Sequence, residues 1–253
     1  MCAIDCHRTP AVKAAETAVL GDTANQFKWG STRMKSSKYP EAAFLATMTA
    51  STTHEVRNVL AIVKESAGLI EDLLLHSKKR GEVDPEKVQR AVDRIEAQVK
   101  RGADLLTSLN RLSHTLDQEI STVDLNQEVD QVVFLSRRFA RKRDHEVVAS
   151  QRMKNCDAYL NPLLLQMVLF TAMECCFEEL PENSTIAVGV RKGGDGNVVD
   201  YMIADGGVGF PSLTPQPELW EELKRLADAL GATVERAEQE YGIRILFDHG
   251  TKG

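Results

Sequence analysis

The stretch His54-Glu55-Val56-Arg57-Asn58 lies inside a long helical pattern that spans residues 41–79. Apolar or small residues recur there at alternating spacings of four and three, which is the seam of a coiled coil or a four-helix bundle: Val56, Leu60, Val63, Ala67, Ile70 and Leu74. At roughly 100° per residue, His54 lies on the side of the helix opposite this seam, and Asn58 follows one turn later on the same outward face. The pattern therefore predicts an imidazole held in water on a rigid helix, with the Glu55 carboxylate beside it.

A second helix with the same periodicity follows. Gly81 predicts the end of the first helix, and Asp84-Pro85 predicts an N-cap followed by proline at the first helical position. The second seam is again mostly apolar: Val88, Val92, Ile95, Val99, Gly102, Leu106, Leu109, Ser113 and Leu116. Two such helices form an antiparallel hairpin, and a second copy of the chain is the natural way to bury the stripe. The sequence thus predicts a homodimer with a four-helix bundle.

Composition limits the possible classes of protein. The chain has 253 residues, of which 43% are hydrophobic and 27% charged, as expected for two modest globular domains. Its net charge of -6 argues against a nucleic-acid partner. No apolar run approaches the roughly 20 residues of a membrane span, and no signal peptide is evident. Five cysteines, an odd number, suit a reducing compartment. We therefore expect a cytoplasmic protein.

The pattern changes after about residue 120. Asp124 is expected to cap a third helix. The helix ends in a run of basic residues, for which a solvated helix end is the simplest interpretation: Arg137, Arg138, Arg141, Lys142 and Arg143. Short strand patterns follow at residues 145–149, 185–190, 198–204, 233–235 and 243–247, with helical patterns at 162–179 and 218–230. Helices and strands mixed without strict alternation predict an α+β sandwich of one sheet and one helical layer.

Two motifs carry a resemblance to a known family. His54-Glu55-x-x-Asn58 resembles the H-box of two-component histidine kinases, and Asp205-Gly206-Gly207-Val208-Gly209 resembles the G1 box of their ATP-binding domain. The resemblance implies a dimerisation and phosphotransfer hairpin over residues 41–119 and an ATPase-like domain over residues 120–253, after a tail or arm at residues 1–40. It also implies that Asp205 accepts the adenine amino group while Gly207 and Gly209 let the backbone pass close to the nucleotide.

The chain departs from the family pattern at two places. The N-box helix of these kinases presents two asparagines for magnesium and the triphosphate, whereas Phe170 and Glu174 stand at those positions here. Glu174 remains able to ligate magnesium but brings negative charge toward the phosphates, and Phe170 offers no ligand. The segment that would form a lid over the nucleotide contains three prolines within residues 210–217. We therefore expect no cofactor, with ATP and magnesium required only for a kinase.

Three functions follow as hypotheses. In the first, the protein is a histidine phosphotransferase that exchanges a phosphoryl group between His54 and the aspartates of response-regulator receiver domains, with Glu55 and Asn58 assisting. In the second, it is a divergent ATP-dependent kinase that autophosphorylates His54. In the third, it is a dimeric interaction module without catalysis. The intact His-Glu-x-x-Asn motif favours a kinase, and the altered nucleotide boxes favour the phosphotransferase.

Overall fold

The computed structural model describes residues 38–80, 84–194, 196–204, 216–236 and 242–247. Its first part is the predicted pair of helices, α1 (Pro40–Arg80) and α2 (Pro85–His114), which pack along each other. The Asp84 carboxylate caps α2, since it accepts hydrogen bonds from the backbone amides of Glu86 at 3.1 Å and Lys87 at 3.2 Å. Asp84-Pro85 therefore predicted the start of α2 correctly.

The second part is an α/β domain, as expected. Asp124 caps its first helix by accepting a hydrogen bond from the Asn126 amide at 2.9 Å. Its elements are β1 (Ser121–Asp124), α3 (Leu125–Arg141), β2 (Glu146–Ala149), β3 (Asp157–Leu160), α4 (Pro162–Glu179), β4 (Thr185–Gly193), β5 (Gly196–Ile203), α5 (Pro217–Leu230), β6 (Ala232–Arg236) and β7 (Ile243–Phe247). All the helices and strands that the sequence predicted here are present, and the prediction of an α+β arrangement is confirmed.

The strands form two sheets. The larger one has the order β2-β4-β5-β7-β6, in which β2 and β4 run parallel and the other neighbours run antiparallel. The smaller sheet pairs β1 with β3 and was not predicted. Helix α4 packs against α3, α5 and β5, and 15 of its 18 residues are buried. Cys175 and Cys176 are buried within this helix, where thiols pack as small apolar side chains.

The hairpin and the α/β domain share one hydrophobic core. Phe44 and Met48, near the start of α1, are each 1% exposed and belong to the same cluster as the side chains of α3 and α4. The Phe170 ring of α4 lies 5.9 Å from the ring of Phe44 and 5.1 Å from that of Phe139, measured between centroids. Aromatic contact of this kind fixes the base of the hairpin on the α/β domain.

The apolar seam is only partly covered within one chain. The side chains that face α2 from α1, such as Val59 and Ser66, are buried. By contrast, large apolar side chains of the predicted seam are exposed: Leu60, Leu74, Val99, Leu106 and Leu116. A stripe of exposed leucines and valines along both helices is the surface that a second copy would cover. The four-helix bundle itself stays a prediction.

Several sequence-based predictions lie outside the described residues. These are most of the tail or arm, at residues 1–37, the motif that contains Asp205, Gly207 and Gly209, and the proline-rich segment up to residue 215. Within the ranges that are described, no helix combines the length and apolar character needed to cross a membrane. The same ranges contain no group of three or more side chains placed to hold a metal ion.

Candidate functional site

His54 lies on the outer face of α1, where the sequence placed it. Its side chain is exposed, and Asn58, one helical turn later, is exposed as well. An open pocket of about 460 Å³ lies beside Asn58, and its lining includes Glu55, Arg101 and Arg141. Because α1 is continuous through this region, the imidazole is presented from a rigid support to any partner that approaches the helix.

The surroundings of His54 favour the neutral imidazole. Partial burial lowers the pKa of His54 from its ordinary value of 6.5, and the positive charges of Arg138 and Lys142 lower this pKa further, against the opposing effect of Glu55. A pKa below 6.5 leaves the ring neutral at physiological pH. Neutral imidazole has a free nitrogen lone pair, which is the form of the ring that can act as a nucleophile.

Glu55 is buried, with 7% of its surface exposed. Arg101 of α2 donates a hydrogen bond to its Oε2, and Arg141 of α3 donates a second one to the same oxygen at 2.8 Å. Arg138 Nε lies 3.8 Å from Oε1. The sequence predicted this carboxylate beside the imidazole but did not predict its partners. These are three arginines that link α1 to both neighbouring helices.

The basic run at the end of α3 is part of the site. The expectation of a solvated helix end is wrong for Arg138, whose side chain is 16% exposed and lies against Glu55. Arg141 also reaches Glu55 but keeps 54% of its side chain exposed. Arg138 Nη1 also donates a hydrogen bond to the backbone carbonyl of Ser51 at 3.1 Å. Five cations within seven residues of an acidic chain were the sequence signal that this helix end binds a carboxylate. The sequence does not indicate which acidic side chain they contact.

Phe170 and Glu174, which stand at the positions of the two N-box asparagines, are both buried. Phe170 is 1% exposed between two other aromatic rings, so its side chain is a core contact. Glu174 is buried in the same helix, with 3% of its surface exposed. A magnesium nucleotide needs oxygen ligands that reach a hydrated cation. Neither side chain presents such a ligand at the surface, and these two positions therefore do not fit the group.

Comparison with known proteins gives structural likeness alone. No protein-family model and no curated protein matches the chain. Among solved structures, the histidine kinase AdeS of Acinetobacter baumannii aligns at 12% identity and a TM-score of 0.42, over 78% of this chain and 98% of that one. A bacterial phosphotransferase aligns at 11% identity and a TM-score of 0.45, over 83% of this chain and 97% of the other.

A third similar structure is the histidine kinase ThkA in complex with the response regulator TrrA, at 18% identity and a TM-score of 0.40, over 83% of this chain and 63% of that one. Two of these three structures are histidine kinases, the family that the sequence motifs resemble. The TM-scores all lie below 0.5, so the evidence for function has to come from the chain's own side chains.

Proposed function

We propose that the protein is a dimeric histidine phosphotransferase of two-component signalling, in which His54 carries the phosphoryl group. The observation that supports this most directly is the setting of His54, an exposed imidazole with a lowered pKa beside the cations of α3. A surface histidine on an ordinary helix has no reason to be surrounded in this way. The positive charges attract a phosphorylated partner and offset the charge that the ring gains on phosphorylation.

The reaction needs only an acyl phosphate donor. The lone pair of His54 attacks the phosphorus of an aspartyl phosphate, the nitrogen–phosphorus bond forms, and the bond to the aspartate oxygen breaks, so that the donor's free carboxylate leaves. Transfer to a second receiver domain is the reverse of these events. We propose that the exposed Asn58 amide orients the incoming phosphoryl oxygens. For Glu55 to accept a proton, it would have to leave its ion pairs with the arginines.

The proposal includes a second copy of the chain. The exposed seam residues follow both helices of the hairpin, and two of them, Leu60 and Leu106, are 60% and 55% exposed. His54 points away from this seam, so dimerisation would leave it accessible. A dimer would therefore present two histidines on opposite sides of one four-helix bundle, each with its own cluster of arginines.

The pH dependence of transfer follows from the lowered pKa of His54. Protonation removes the attacking lone pair, and the protonated form dominates only below the pKa. Transfer should therefore stay nearly constant from about pH 8 to pH 7 and fall with an apparent pKa below 6.5. Initial labelling rates and an NMR titration of the His54 ring would both report this value. Lys142→Gln removes one repelling charge and should move the pKa upward; an apparent pKa above 6.5 in the unmodified protein would contradict the proposal.

The kinase alternative is favoured by the intact His54-Glu55-x-x-Asn58 motif, and it requires tight binding of ATP. We expect ATP to bind more weakly than about 1 mM, corresponding to less than roughly 4 kcal/mol, because Phe170 and Glu174 supply no surface ligand for magnesium. Calorimetry with magnesium and ATP measures this directly. Micromolar binding that disappears in Asp205→Ala, or labelling of His54 by ATP alone, would promote the kinase over the phosphotransferase.

A further inference from the structure

A cavity adjoins the candidate site on the side of α1 that faces α2, and it shares Glu55, Arg101 and Arg141 with the pocket beside Asn58. It has a volume of about 250 Å³, is partly open to solvent, and is lined by residues of α1, α2 and α3. Its lining contains five cationic side chains from the last two of these helices: Lys100, Arg101, Arg137, Arg138 and Arg141. The cationic side chains of α2 and those of α3 thus line the same cavity, although the two groups lie about 40 residues apart in the sequence.

The cationic side chains that line the cavity outnumber the carboxylates that line it. Two carboxylates, Glu55 and Asp104, line it together with the five cations, which leaves an excess of three positive charges in a chain whose net charge is -6. Arg101, Arg138 and Arg141 already converge on the single Glu55 carboxylate. One carboxylate has two oxygens and cannot saturate three guanidinium groups, so donor groups remain available for a further anion.

Partial burial strengthens the attraction for an anion. The Arg138 side chain is 16% exposed, and burial lowers the pKa of Arg138; the Glu55 carboxylate opposes this shift, and the nearby positive charge of Arg141 adds to it. Two side chains with hydroxyl groups, Ser51 and Thr52, also line the cavity and are buried. Like charges that lie close together repel each other, and a bound anion relieves that repulsion, most strongly at Arg138, which is the most buried of the five cations.

The cavity stays open if the seam is covered by a second copy. On α2, the lining residues Ala97, Arg101 and Asp104 lie on one side of the helix, whereas Val99 and Leu106 of the seam lie on the opposite side. A dimer formed through the seam would therefore not fill the cavity. The cavity also lies on the side of α1 that faces α2, so a ligand there would not occupy the outward face that presents His54.

We propose that this cavity binds a small anion of the phosphate class, with two linked phosphate groups as the occupant that its size and charge fit. Planar guanidinium groups bind phosphate oxygens in pairs, and three arginines from two helices provide this geometry from more than one direction. The bound anion would bridge α2 and α3 beside Glu55. It would thereby tighten the contact that holds the hairpin on the α/β domain, next to the phosphorylated residue.

Calorimetry of the full chain with pyrophosphate tests this inference. We expect saturable binding below about 1 mM that weakens as sodium chloride is added. Lys100→Gln and Arg137→Gln should each weaken it at least about tenfold, which corresponds to 1.4 kcal/mol, because each removes one cation from the lining. The matched control is Arg90→Gln. Arg90 is an exposed arginine of α2, the helix that carries Lys100, and it pairs with Glu86 outside the cavity.

The outcomes are distinct. Binding that is lost in the two cavity variants and kept in the control supports the site, and a parallel series with ADP shows whether the phosphates of a nucleotide bind in the same place. Absence of saturable pyrophosphate binding, or equal weakening in Arg90→Gln, would overturn it. His54→Gln should bind pyrophosphate normally, so this test is independent of phosphotransfer. Thermal melting of each variant identifies any that does not fold, and the second cavity variant then decides.

Discussion

Replacement of His54 by glutamine should abolish transfer of phosphoryl groups to the protein. A receiver domain labelled with acetyl phosphate is incubated with the chain, and acid-labile label on the chain is measured. Glutamine keeps a polar side chain of similar reach on the exposed face of α1, but its amide nitrogen has no nucleophilic lone pair. Since the attacking atom is removed, we expect labelling to fall to background and not merely to slow.

The hairpin offers matched controls for this experiment. His76 and His114 are also exposed histidines of α1 and α2, and each makes only a local contact, with the Asp72 carbonyl and the Asp117 carboxylate respectively. His76→Gln and His114→Gln should keep full labelling. Label that persists in His54→Gln would refute the phosphotransferase proposal. A complete lack of labelling of the unmodified protein by a broad panel of receiver domains would favour the interaction module instead.

Replacement of Leu106 by aspartate should strongly weaken the proposed dimer. Leu106→Asp places a charge in the middle of the exposed seam, and a symmetric dimer contains this change twice. Burial of a leucine contributes about 1.5–3 kcal/mol, so the loss over two copies is roughly 3–6 kcal/mol. This corresponds to a dissociation constant that rises by about two to four orders of magnitude. Sedimentation equilibrium over a range of concentrations measures the change.

Because Leu106 is exposed within one chain, its replacement should give a folded monomer and not an unfolded protein. Circular dichroism distinguishes these two results. Thr107→Asp is the matched control, since it introduces the same charge at the next exposed position, which lies off the seam. Ile70→Asp and Ile95→Asp should weaken the dimer too, with an added loss of stability because both side chains are partly buried within the hairpin. A monomeric unmodified protein at micromolar concentration would contradict the bundle.

The sequence predicted the helices well because their ends carry local signals. Asp84-Pro85 and Asn161-Pro162 each place a capping side chain before proline, and Gly231 ends α5 with a positive φ of 75°. The strands β1 and β3 escaped prediction. Each has only four residues, and neither has a run of β-branched or apolar residues long enough to indicate a strand. They are stabilised by pairing with each other, a contact that a local pattern does not contain.

The site was predicted only in part, for a related reason. The outward position of His54 follows from its offset from the seam, which is local information. The environment of Glu55 depends on Arg141, which is 86 residues away in the sequence. One signal was available, because Glu55 shares its helical face with Val59 and Ser66, both of which are buried against α2. A carboxylate on that face requires a cationic partner, but periodicity does not identify which of the chain's 31 basic residues supplies it.

The aromatic contact among Phe44, Phe139 and Phe170 has a consequence for protein engineering. Signalling proteins are often rewired by joining the hairpin of one to the catalytic domain of another, on the assumption that each part is an independent module. Here the base of α1 supplies side chains to the core of the α/β domain. A chimera cut near residue 120 would separate Phe44 from the rings that enclose it, leaving an apolar hole in one product and an exposed aromatic ring in the other. Functional chimeras of this chain would need the facing surfaces to be exchanged together.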